Sequence, residues 1–267
     1  MDYSMRYGME FNPFLKNAKE ILVETKECKE AFFRLNYLLS TKGFGILTGS
    51  AGQGKTTTVR SWTKGLNPSL YKVVYSSLST LSVNEFYRNL ATELGVEPSY
   101  RKPDNFRMIQ GEITRLSFEK KQTPIFIIDE ANHISSSILT DFKILFNFEM
   151  DSRDRAIILL IGSPQINTIL RLGIHESFRQ RIIMNYQIDG LSKEEGRQYI
   201  LEKLRGAGCT QPVYEDGALE AILNAANSTP RLINKLCNAS LLVGNSQNLN
   251  VINADAVMQA INDCELG

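Results

Sequence analysis

Gly49-Ser50-Ala51-Gly52-Gln53-Gly54-Lys55-Thr56 sets three glycines, a lysine and a threonine in the spacing G-x-x-x-x-G-K-T. Glycines let a backbone double back without a Cβ clash, so successive N–H groups can converge on an anion at the start of a helix. A lysine at that point neutralises the outer phosphates of a nucleoside triphosphate. The hydroxyl beside it suits Mg²⁺, which takes few protein oxygens and keeps much of its water. The stretch reads as a phosphate-binding loop for ATP and Mg²⁺, with residues Gly49, Ser50, Ala51, Gly52, Gln53, Gly54, Lys55, Thr56 and the following Thr57 around the nucleotide and Thr56 on the metal.

A second constellation follows in Thr123-Pro124-Ile125-Phe126-Ile127-Ile128-Asp129-Glu130, an apolar run that ends on two carboxylates. Asp129 is expected to hold the metal's water shell, and Glu130, one residue on, to polarise the water that attacks the γ-phosphate. Ser163, after the run Ala156 to Gly162, is placed to contact that water or the phosphate. Arg179 and Arg181 precede the last apolar stretch, and a guanidinium, planar and always ionised, suits developing phosphoryl charge. Arg231 follows Pro230 at a helix start, from which its side chain could swing onto the γ-phosphate. His133 has no ligand-spaced neighbour and is expected to be structural.

The elements that must position these residues can be read from periodicity. Lys42 to Thr48 leads into the loop as a strand, and a helix continues to Lys64; Lys72 to Ser76, Thr123 to Asp129, Ala156 to Ser163 and Ile182 to Ile188 add four more strands. Thr25 can cap a helix to about Thr41, and Ser82-x-x-Glu85 is a capping box for one that Gly95 ends. Pro98 to Pro103 reads as a loop with Tyr100, Arg101 and Lys102 at its tip, and Asp104 as the cap of the next helix. From Ser192 onward only helices are expected. The predicted architecture is α/β, a mostly parallel five-stranded sheet flanked by helices, with three parts: an N-terminal segment 1–24, a nucleotide-binding domain 25–190 and an all-helical lid 191–267.

Composition limits the partners. Lysine plus arginine number 30 against 29 acids, so no overall basic field holds nucleic acid, and DNA binding would need a local patch or several subunits together. Four separated cysteines and two histidines suggest neither a disulfide framework nor a zinc site. The apolar runs are strand-length, too short to span a bilayer, and the first residues lack a signal-peptide core, which together predict a cytoplasmic protein.

With Glu10-Phe11-Asn12-Pro13-Phe14, G-F-G-I-L-T-G-S-A-G-Q-G-K-T-T, I-I-D-E-A, L-I-G-S-P, F-R-Q-R-I and T-P-R-L-I-N-K-L-C in place, the chain resembles the AAA+ ATPases of the ExeA/TniB/TnsC-like group over nearly its whole length. That resemblance implies ATP hydrolysis, with Arg181 or else Arg179 acting in trans on a neighbour's ATP, Ser163 as first sensor, Arg231 as second sensor, and Asn12, Pro13 and Phe14 near the adenine. ExeA-like members carry further membrane and cell-wall parts, whereas this chain stops at the lid. The expectation is therefore a DNA transposition regulator. It would assemble with ATP as a ring or filament on DNA, through Arg101 and Lys102, and serve a transposase, with a target-selection protein as a further partner. The other reading is a secretion or signalling ATPase acting on a protein.

Overall fold

The computed structural model describes residues 3–77 and 80–264. Its first long helix, α1 (Lys26–Thr41), is capped by Thr25, whose Oγ1 accepts from the Cys28 N–H at 3.2 Å. The apolar runs become β1 (Gly43–Thr48), β2 (Tyr71–Ser76), β3 (Thr123–Ile128), β4 (Ile157–Gly162) and β5 (Ile182–Gln187). They pair in parallel in the order β2-β3-β4-β1-β5. β1 and β4 are buried at every position and β3 at all but Thr123, as strands covered on both faces require, whereas the edge strands β2 and β5 alternate.

One face is covered by α1 and α2 (Lys55–Lys64). Leu35, Leu38, Val59 and Trp62 pack there on Leu47, Ile125, Ile127, Leu159 and Ile161. The other face carries α3 (Val83–Leu94), α4 (Lys102–Phe118), α5 (Ser136–Leu145), α6 (Gln165–Leu170) and α7 (Glu176–Arg179). Leu90, Ile109, Ile113, Phe142 and Phe178 meet Phe44, Val74, Phe126, Ile158 and Leu160 there. The Ser82 capping box on α3 forms with Glu85 as the sequence predicts. The start of α4 differs: Arg101 is its N-cap, Lys102 its first residue, and Asp104 lies inside the first turn. Pro103 explains this, since a proline lacking its N–H is tolerated only in the first turn, where that donor would be orphaned anyway.

The chain divides into two compact units, one of residues 30–51 and 55–188 and one of residues 1–29, 52–54 and 189–267. The second is built on α8 (Lys193–Gly206), α9 (Asp216–Ala226), α10 (Pro230–Ser246) and α11 (Ala254–Cys264), with a Ser192–Glu195 capping box opening α8. Ile200, Leu219, Ile222, Ile233, Leu241 and Val257 form its core, joined by Tyr7, Met9 and Phe14 from the N-terminal segment. Polar contacts fasten that segment. Asn12 Nδ2 donates to Tyr3 Oη and to Asn238 Oδ1, each at 2.8 Å, and Lys203 Nζ donates to the Pro13 carbonyl at 2.9 Å. All four cysteines belong to this unit, as free thiols. Cys28, Cys209 and Cys237 are buried and Cys264 is half-exposed, and burial pushes the Cys237 thiol up to about 12. Among the described residues no helix is long and apolar enough to cross a membrane.

Candidate nucleotide site

β1, β3 and β4 are neighbours in register, Thr48 opposite Gly162 and Ile128 opposite Leu160, so their carboxyl ends open along one edge of the sheet. Ligands of parallel α/β sheets sit beyond that edge. From β1 the chain runs through Gly49 and the exposed Ser50 and Ala51 into Gly52, Gln53 and Gly54, and α2 begins at Lys55. Gly52 and Gly54 have φ of 85° and 92°, a left-handed backbone that a side chain would strain. Lys55 Nζ folds back over the loop, donating to the carbonyls of Gly49 at 2.8 Å and Ser50 at 3.0 Å. Thr57, half-buried, follows in the first turn of α2.

Thr56 and the strand-end acid meet as the motif spacing implies. Thr56 Oγ1 donates to Asp129 Oδ2 at 3.0 Å, and Asp129 is only 6% exposed. Glu130 stands next to it with φ 52°, left-handed for a non-glycine residue; its N–H donates to Asp129 Oδ1 at 2.9 Å while the residue itself is exposed. Tyr75, which no motif selects, reaches the same carboxylate from β2 and donates its hydroxyl to Asp129 Oδ2 at 3.0 Å. Burial and then the Asp129 charge push that phenol up to about 12. Ser163 sits at the end of β4, its N–H donating to Asn132 Oδ1 at 2.9 Å and its hydroxyl 3.5 Å from Gln165 Oε1. Asn132, from the short helical turn Ala131–His133, thus ties the end of β4 to the turn after β3, a role no spacing pattern disclosed.

These groups suit ATP and Mg²⁺. Left-handed glycines at a helix start can turn backbone N–H groups toward phosphate. Thr56 spends its hydrogen on Asp129 and keeps its lone pairs, and hydroxyl and carboxylate are the hard oxygen donors Mg²⁺ takes.

Both candidate finger arginines are engaged within their own unit. Arg179 Nη1 donates to the carbonyls of Leu170 at 2.6 Å and Leu172 at 3.0 Å, and Arg181 Nη1 to that of Lys143 at 3.0 Å. Each serves the C-terminal end of a short helix, α6 or α5, where carbonyls lack intrahelical partners and cations are favoured. Burial holds the Arg181 guanidinium below its ordinary range.

Arg231 is exposed in the first turn of α10, and its N–H donates to the Gly52 carbonyl at 3.2 Å, a contact among the residues of the helical unit. Asn12, Pro13 and Phe14, expected beside the adenine, are buried in that unit, with the Asn12 amide and the Pro13 carbonyl already bonded there. Lys102, expected at an exposed loop tip, opens α4 and is paired with Asp141 at 2.6 Å, while Arg101 is exposed. His133 is exposed on its turn. The buried histidine is His175, its Nε2 3.1 Å from Ser136 Oγ.

A parallel sheet whose central strands deliver a glycine loop, a threonine and an Asp-Glu pair to one edge defines a P-loop ATPase of the AAA+ fold. The chain belongs to the family described as the AAA domain, which its residues 37–170 match. Over 247 residues it is 28% identical to the General secretion pathway protein A of Aeromonas hydrophila, an alignment covering 90% of this chain and 44% of that protein. The chain therefore spans less than half of that relative's length. Cdc6p from Pyrobaculum aerophilum shares the fold with a TM-score of 0.75 at 15% identity, over 96% of this chain and 71% of that one. The ORC1 protein of Aeropyrum pernix, solved in complex with DNA, does so with a TM-score of 0.69 at 14% identity, over 95% and 69%. The family and the secretion relative support the AAA+ and ExeA side of the sequence resemblance, and these likenesses do not single out transposition.

Proposed function

We propose that this chain is the ATP-driven switch of a secretion- or signalling-type assembly, whose nucleotide state is transmitted to a protein partner. The observation that carries this reading is the 28% identity to the secretion pathway protein, sustained over 90% of the chain. Because the chain spans only 44% of that relative, the point at which it stops has no weight against this reading. In the reading, Lys55 neutralises the outer phosphates, Thr56 and Asp129 hold Mg²⁺ and its water, and Glu130 draws a proton from the attacking water. Mg²⁺, when bound, offsets charge on the β- and γ-phosphate oxygens. Ser163 and Arg231 sense the γ-phosphate. Arg181, with Arg179 as the second choice, serves the ATP of a neighbouring copy once its carbonyl contact is released.

The transposition regulator is a second reading, favoured by the likeness of fold to the ORC1 protein that was solved in complex with DNA. It would place duplex DNA, a transposase and a target-selection protein among the partners. ATP turnover with and without duplex DNA, measured across a salt series, separates the two. For the protein-directed switch, DNA should leave turnover within about twofold at every salt. Stimulation of about tenfold at low salt that disappears steeply as salt rises would replace it with a DNA-assembled switch.

A further inference from the structure

Three donors converge on Asp129. The Glu130 N–H takes Oδ1, and the hydroxyls of Thr56 and Tyr75 take Oδ2. An ionised carboxylate offers about four acceptor directions. The torsion that aims an aspartate's oxygens is broad and roughly two-fold, so the donors, and not the side chain's own preference, set its orientation. Two of these donors belong to the nucleotide motifs. Tyr75 does not, and its position has a topological cause. β2 is an edge strand paired in parallel with β3, Tyr75 opposite Ile127, and Val74 and Ser76 point into the helix-covered core while Tyr75 lies on the half-exposed face. Ile125 and Ile127 pack with Val59 of α2 on that side of the sheet, so a long side chain at 75 reaches the strand-end acid beside Thr56.

We propose that Tyr75 is a positioning residue for metal-dependent ATP turnover: its hydroxyl fixes the Asp129 carboxylate so that one acceptor direction stays open for the hydrated Mg²⁺ that Thr56 and Asp129 would hold. The Thr56 hydroxyl, with a lone pair given to the metal, could still donate to Oδ2, and Tyr75 locks the same oxygen from the neighbouring strand β2. An acid held in this way needs no reorganisation when the metal arrives, and pre-set geometry of this kind strengthens a site without adding a ligand. The proposal rests on the assignment of Asp129 to the metal.

Tyr75→Phe keeps the ring and removes only the donor. Binding of a fluorescent ATP analogue is measured first in EDTA and then during a Mg²⁺ titration, alongside ATP turnover and thermal unfolding. Metal-free affinity and the unfolding midpoint should match wild type. The Mg²⁺ concentration at half-maximal binding and at half-maximal turnover should rise about tenfold, roughly what one charge-assisted hydrogen bond supplies, with kcat recovered at saturating Mg²⁺. Asp129→Asn alone should raise the Mg²⁺ requirement, and adding Tyr75→Phe to it should change nothing further, since the tyrosine acts through that carboxylate. A normal Mg²⁺ requirement in Tyr75→Phe, or a metal-free affinity that falls by the same factor, would overturn the proposal. So would a full additional loss in the Asp129→Asn background. A normal requirement in Asp129→Asn itself would remove the metal assignment on which it stands.

Discussion

In the proposed function Lys55 and Glu130 stand on opposite sides of one distinction, between holding a phosphate and activating a water. Lys55 arches over the loop, bonded to the Gly49 and Ser50 carbonyls, contacts that phosphates would displace in the proposed reading. Glu130 is exposed, and the left-handed turn at that residue leaves the tight bonding to its neighbour Asp129. Lys55→Ala should therefore weaken ATP binding by about a hundredfold or more. Glu130→Gln should keep the wild-type Kd within about threefold while kcat falls at least a hundredfold, the range general-base removal produces. Equal losses of affinity in the two variants, measured by equilibrium binding, would reject this division. The glycine loop and the meeting of Thr56 with Asp129 were legible in the sequence because the motif spacing anticipates that geometry. Tyr75 and Asn132 were not, because each meets the site across strands, and no local pattern along the chain records which strand lies beside which.

At the scale of elements, the strands were readable wherever both faces are buried, since β1, β3 and β4 are near-continuous apolar runs, and the capped helices announced themselves at Thr25, Ser82 and Ser192. The short helices α5, α6 and α7 escaped: α6 and α7 span six and four residues, too few for a 3.6-residue period to repeat. Their junctions are where the arginines and a histidine are spent. His175 is buried beside Ser136 at the start of α5, and burial, then Arg179, hold its imidazole below the ordinary range. A base depressed in this way is neutral in the fold. Its contribution to stability is complete above the unfolded value near 6.5, and is lost as pH falls below it, because the unfolded chain takes up the proton first. Thermal midpoints should accordingly fall less for His175→Gln than for wild type between about pH 7 and about pH 5. Parallel declines would assign the acid sensitivity to other groups.

The whole molecule raises the question of where a finger arginine comes from. Arg181 donates to the carbonyl of Lys143 in its own chain, so service to a neighbour requires that contact to open on assembly. If it does, Arg181→Ala and Lys55→Ala are each inactive, yet a mixture should recover part of the turnover, because one interface then pairs an intact loop with an intact arginine. Demonstrated co-assembly with no recovery would confine Arg181 to its local role, and the same mixture made with Arg179→Ala decides between the two. A last consequence comes from the cysteines. All four lie in the helical unit, none among residues 30–51 or 55–188, and three of them are buried. The reaction of Cys209, Cys237 and Cys264 with a thiol reagent is therefore a clock built into the helical unit. Cys264 should modify quickly, and Cys209 and Cys237, in the core of that unit, only as fast as it opens, so peptide-resolved labelling of these three with and without ATP reads its local stability.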